Sequence, residues 1–206
     1  MTEHAYFFVQ DDESYSESNL TEAAADFESL VWPTITGAFG EPRTPGVDGD
    51  PRITVLHANL RGAGGYVSSS DGVPKAVYAA SNEREMLYLE ASALGTPGPA
   101  YSALAAHELQ HLILQKYDDG EESWLNEGLS QVAWEMAGGG TDAVWEYLGR
   151  PDTQLNIWPT TGTSIHYAGS ELFASYILDH YGGRQNAKGL TSIPEDGLEG
   201  VSRFLQ

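Results

Sequence analysis

The stretch SALAAHELQHLILQKYDDGEESWLNEGLS, residues 102–130, decides how the rest of the chain is read. Its first half is apolar on nearly every side of a helix, yet it carries His107, Glu108 and His111. A helix that is apolar all round is a buried one, and buried imidazoles and carboxylates need partners. Residues four apart on a helix stand one above the other, with Cβ atoms roughly 5–6 Å apart. His107 and His111 can therefore aim both rings at one point. Glu108 projects about 100° around the helix from His107, so it borders that point without sharing it. Two metal ligands beside a general base give this pattern.

A catalytic zinc ion takes three protein ligands and keeps one position open. The chain has no cysteine, so the third ligand is a histidine or a carboxylate. His57, His166, His180 and the downstream carboxylates are the candidates. The polar break DDGEES (118–123) lets a second helix, WLNEGLSQVAWEMAGG (124–139), fold back antiparallel to the first. Its first turn then lies near the middle of a cleft, and Glu127 sits in that turn. Asp118, Asp119, Glu121 and Glu122 lie in the break itself and read as solvated groups.

Upstream, the pattern is one of strands and a single helix. AYFFV (5–9), RITVLHANL (52–60) and EMLYLEA (85–91) are strand-like runs, with a short strand over Gly65–Ser69 after a glycine cluster. Residues 19–32 have helical periodicity, with Asn19 as N-cap, Glu22 as its partner and Pro33 as terminator or kink. Downstream, helices are expected over 141–149, with Thr141 as N-cap, and over 164–183. The last residues, PEDGLEGVSRFLQ, begin another helix and stop abruptly, so we expect a C-terminal segment to be missing. Strands first and helices after predict an α+β fold. The expected division is an N-terminal α/β lobe over 1–117, including the His107–His111 helix, and a helical lobe over 118–206. The junction between them is a natural cleft.

Composition narrows the function. The 206 residues include 30 acidic and 10 basic ones, a formal charge of −20. That excludes nucleic acid and anionic membrane surfaces as expected partners. No stretch reaches the roughly 18 apolar residues of a membrane span. MTEHAYFFVQDD lacks a basic region and is not a signal peptide.

HELQH (107–111) followed by WLNEGLS (124–130) resembles the gluzincin zinc peptidases, whose third ligand is a glutamate on a downstream helix. WLNEG is similar to a phrase of aminopeptidase N-type enzymes. NEGLS, YFFVQDD, DGDPRITVLHANLRGAGGYVSSSD and SNEREMLYLEA look closer to the hyicolysin-type bacterial metallopeptidases, so the resemblance covers most of the chain. It implies a thermolysin-like catalytic domain, with a small twisted mixed sheet in the first lobe. It implies one catalytic Zn2+ held by His107, His111 and Glu127, with Glu108 as general base and acid. It also implies an oxyanion-stabilising residue on a later helix, for which Tyr167 is favoured over its neighbour His166. Secretion, a peptide or protein substrate and a monomeric state follow as expectations.

The chain departs from these relatives in two places. Gln131 stands where many gluzincins have an aspartate bracing a zinc-bound histidine, so Gln131 or Asn126 is the expected brace. RGAGGYV (61–67) has no acid where aminopeptidases bind a free amine, which favours an endopeptidase. Gly64, Gly65 and Tyr66 would form an edge strand above the metal that pairs with substrate. Asp48, Asp50 and the run Asp11–Asp12–Glu13 are weaker candidates for Ca2+, since neither stretch matches an EF-hand. The rival readings are an inactive peptidase-like binding module and a zinc hydrolase acting on a non-peptide bond.

Overall fold

Three β-rich runs separated by turn-forming residues build the sheet. A computed structural model of the chain describes residues 1–141 and 144–206. The strands are β1 (Ala5–Val9), β2 (Ile53–Ala58), β3 (Gly65–Tyr66) and β4 (Met86–Glu90), in the spatial order β1-β2-β4-β3. β1, β2 and β4 run parallel, and β3 lies antiparallel on β4, with Gly65 opposite Leu89 and Tyr66 opposite Tyr88. Parallel neighbours require a long crossover. Between β1 and β2 it is supplied by α1 (Glu17–Asp26), a π-helical turn (Phe27–Val31) and α2 (Trp32–Phe39). β2 and β4 are buried along almost their whole length, as central strands covered on both faces should be. The short β3 ends the sheet and leaves one edge free.

The helices follow: α3 (Pro99–Tyr117), α4 (Ser123–Met136), α5 (Val144–Leu148), α6 (Ser164–His180), α7 (Lys188–Thr191) and α8 (Gly197–Phe204). α3 is buried nearly all round, as its apolar flanks require, with Leu109, Leu112 and Ile113 joining the same core as Val55 and Leu87. It packs on the sheet through β3 and β4, and on α4 from the other side. Gly138, just past α4, lies against Pro99 at the start of α3, so the two helices are antiparallel. α6 closes the far face of α4. The coarse α+β class and the small mixed sheet are as expected.

Several local expectations are corrected. α1 starts at Glu17, with Ser16 as N-cap accepting from the Asn19 backbone N–H at 3.5 Å. Asn19 does not cap: its side-chain amide donates to the Leu94 carbonyl at 2.8 Å, tying α1 to the loop after β4. Pro33 does not end the helix either. The π-helical turn brings it into the first turn of α2, where a missing N–H breaks no helical bond, and the helix runs on to Phe39. The strand expected over 65–69 is only two residues long, because Ser69–Gly72 turns into a 3-10 segment. Of the helix expected over 141–149, Val144–Leu148 is described, while residues 142–143 lie outside the described residues.

Candidate metal centre

The back-folding of α4 on α3 brings three donor atoms together. His107 Nε2 and His111 Nε2 are 3.1 Å apart, and Glu127 Oε2 lies 3.4 Å from the first and 3.5 Å from the second. A charge-assisted hydrogen bond is about 2.7–2.9 Å long, so the carboxylate is too far from either ring for a good one. Tetrahedral bonds of about 2.0–2.1 Å place neighbouring ligand atoms about 3.3–3.4 Å apart. The three separations bracket that value, and Glu127 Oε2 is buried without a hydrogen-bond partner. The N,N,O donor set therefore suits a zinc ion. Among the described residues, one other His/carboxylate group is as close, Glu3–His4–Glu28, but there His4 Nδ1 is hydrogen-bonded to Glu28 at 2.5 Å.

Electrostatics reinforce the grouping. Burial pushes Glu127 up, but the two imidazoles outweigh it and hold the carboxyl down at about 2. Burial pulls His111 down, but Glu127, Glu108 and the Asn126 side chain more than offset this and leave it raised. His107 is lowered, chiefly by burial. Glu108 is pushed up to about 7 by burial, with the Glu127 charge adding to the effect and His111 opposing it. Glu108 Oε2 is buried without a partner in the wall of the cleft.

His111 Nδ1–H donates to Asn126 Oδ1 at 2.7 Å. That bond fixes the tautomer that leaves Nε2 free as a ligand. Of the two expected braces, Asn126 is the one hydrogen-bonded to His111, while Gln131, one turn beyond Glu127, lines the cleft. Substituting Asn126→Ala should weaken zinc affinity about 10- to 100-fold, read by competition with a chromogenic chelator; an unchanged affinity would reject the bracing role.

The other histidines are elsewhere. His57, on β2, is wholly buried and bonded to the Phe8 carbonyl at 3.0 Å and to Tyr101 Oη, in the first turn of α3, at 2.9 Å. His180 bonds the Tyr176 carbonyl and stacks on that ring. On α6, Tyr167 lines the cleft, its ring 6.3 Å from that of His107 and edge-on to Trp158 at 4.9 Å. His166 is not among the lining residues and packs against Trp158. Burial and the Glu127 carboxylate push the Tyr167 phenol well above its usual range, so it keeps its proton. Asp11, Asp12, Glu13, Asp48 and Asp50 belong to none of the close carboxylate or histidine groups found among the described residues; Asp50 accepts from Arg52 N and Tyr6 Oη, and Asp48 from Asp50 N.

The cleft holds about 490 Å3. One wall is Gly64–Val67 and Ser69; the other is the stripe Glu127, Gln131 and Trp134 on α4. β3 crosses directly over Glu108: a Cβ on Gly65 would sit 2.6 Å from Glu108 Oε1. Gly65→Ala should therefore displace either Glu108 or the strand, costing about 1–3 kcal/mol of stability. Thermal melts test this, and an unchanged melting temperature would refute it. Sequence reasoning missed Trp134. Its indole N–H donates to the Gly140 carbonyl at 3.1 Å, and a Cβ on Gly139 would overlap the ring at 1.9 Å. The glycine run 138–140 thus leaves room for this ring in the cleft wall.

No family model matches the chain, and no curated protein matches it.

Proposed function

We propose that the protein is a zinc-dependent metalloendopeptidase of gluzincin type. The observation that carries the reading is the convergence of His107, His111 and Glu127 on one point, 3.1–3.5 Å apart, beside the buried unpartnered carboxyl of Glu108. A zinc ion bound by these three residues supplies Lewis acidity, lowering the pKa of water and polarising a carbonyl.

The chain's own groups account for the remaining work. Glu108, held near 7, can take a proton from the attacking water at neutral pH and return it to the departing amine. Tyr167, kept protonated, can donate its phenolic hydrogen to the oxyanion that forms on the substrate carbonyl. The free edge of β3 can take an extended peptide as an added strand, and its glycines leave the backbone accessible. A wall running from Gly64 to Ser69 suits a chain-like substrate better than a small molecule.

Incubation of the zinc-loaded protein with a mixed peptide library tests the reading, with products mapped by mass spectrometry. Internal cleavages abolished by a chelator and restored by zinc are expected. An absence of cleavage across the library would sink it.

A further inference from the structure

A second, smaller cavity of about 100 Å3 opens beside the cleft and shares Ser69, Gln115 and Asp119 with it. Its polar floor is Glu85, a carboxylate only 6% exposed. Among the described residues Glu85 Oε1 has no hydrogen-bond partner, and Glu85 takes part in none of the ion pairs found there. Such a group is costly to bury and needs a donor. Two glycines press on the carboxyl: a Cβ on Gly46 would lie 3.2 Å from it, and one on Gly72 3.1 Å. Larger residues there would fill or tilt the floor.

The mouth carries exposed Arg43, Lys116 and Asp119. Lys116 Nζ already donates to the Glu41 and Pro42 carbonyls, at 3.1 Å each. Arg43 stands across Gly72 from Glu85. The cavity therefore presents one buried acceptor at its floor and, at its rim, one exposed acid beside the two cations Arg43 and Lys116. Burial holds the Glu85 carboxyl above its ordinary range, and the Arg43 charge opposes this. A cationic guest would add the compensating charge that Arg43 supplies only at a distance.

We propose that this cavity is a substrate subsite for a lysine or arginine side chain, with Glu85 as its anionic floor. The assignment rests on the peptidase reading. Gln115 lies four residues past His111, or about 6 Å along α3 at 1.5 Å per residue, and Asp119 lies just beyond the end of that helix. An extended peptide advances about 3.3 Å per residue, so the subsite falls two to four residues from the cleaved bond.

The test compares kcat/KM for matched fluorogenic peptides carrying Lys, Gln, Met or Glu at each of those positions. The Lys peptide should exceed its Gln counterpart about ten- to a hundredfold at one position. Glu85→Gln should bring that ratio close to one, and Arg43→Ala, by removing the competing cation, should raise it. Circular dichroism and melting temperature establish that both variants fold. A ratio near one in the unaltered protein, or a preference that survives Glu85→Gln, overturns the proposal. So does an Arg43→Ala variant with a lower melting temperature and no gain for Lys, since Arg43 itself would then be the guest. If the zinc-loaded protein cleaves no peptide, the peptidase reading fails by itself. The subsite is then judged by fluorescence anisotropy of the same peptides on chelator-treated protein: tighter, Glu85-dependent binding of the Lys peptide upholds it, and equal binding of Lys and Gln peptides rejects it.

Discussion

Glu108→Gln should lower peptide cleavage by about 10²–10⁴-fold, the usual contribution of a positioned general base, while leaving zinc content near one ion per chain. The substitution keeps the shape of the side chain beneath Gly65, so the close packing of β3 on α3 survives. It removes a cleft-wall carboxyl outside the donor triad that burial pushes up to about 7. Asp118 and Asp119 also line the cleft, but they lie past the end of α3, about two turns from His111. They cannot substitute for a carboxyl that borders His107. Stability argues in the same direction. Glu108 is 3% exposed, and its Oε2 has no partner. An amide avoids the burial of a charge, so the variant should melt at the same temperature or higher. Loss of activity together with unimpaired folding and metal content would separate a chemical role from a structural one. Activity within threefold of the unaltered protein, zinc being present, would exclude Glu108 as the base and with it the assigned mechanism.

The readability of the site follows from the range of its contacts. His107 and His111 are set by the helical repeat alone; a short antiparallel return puts Glu127 among the candidate third ligands, and the resemblance carried by WLNEG singles it out. The brace was narrowed to Asn126 or Gln131. The choice needed the rotation of α4: Asn126 faces His111, whereas Gln131 falls on the stripe that follows the cleft. The same logic separates Tyr167 from His166. Neighbours on a helix point about 100° apart, so only one can face the metal centre. Ile165, Ala168 and Gly169 are buried, and Gly169 packs so closely on Tyr147 that α6 has little freedom to turn.

What was not legible depends on pairs far apart in the chain. Gly65 over Glu108 spans 43 positions and is set by β3 joining the edge of β4. Asn19 looked like a cap because local capping rules ignore a carbonyl 75 residues away. Pro33 looked like a terminator because periodicity does not register a single π-helical turn. Glu85, in a run that reads as strand, gave no sign that its side chain would end on the floor of a cavity, since its surroundings come from Gly46, Gly72 and α3.

Zinc should stabilise the fold, and Glu127→Ala should abolish most of that gain. At a free concentration 100 times its Kd, a ligand that binds only the folded chain adds about 2.7 kcal/mol. For a chain of about 200 residues this corresponds to a rise of roughly 5–11 °C in Tm. Glu127→Ala leaves two nitrogens 3.1 Å apart and no anionic donor, so affinity should fall by more than the roughly 100-fold that outer braces cost. The pH dependence has a definite sign. Binding requires His111 to be neutral, and its pKa is held above the ordinary 6.5 by Glu127, Glu108 and the Asn126 side chain against the pull of burial. As pH falls through that raised value the proton competes with the metal, and apparent affinity drops by up to about tenfold per pH unit. His107, lowered by burial, joins the competition only at more acidic pH. Without zinc the triad keeps an acid limb of its own. Glu127 titrates at about 2 in the folded chain against 4.5 for the free side chain, so its contribution to stability is complete above pH 4.5 and is lost as pH falls toward 2. Glu127→Ala should flatten that acid limb as well as the zinc response. Calorimetric melts at pH 8, 7 and 6, with zinc and with chelator, measure the zinc response, and melts with chelator at pH 5, 4 and 3 measure the acid limb. An equal zinc-induced rise in the Glu127→Ala variant would mean that the ion sits elsewhere, and the metal centre assigned to α3 and α4 would have to be abandoned.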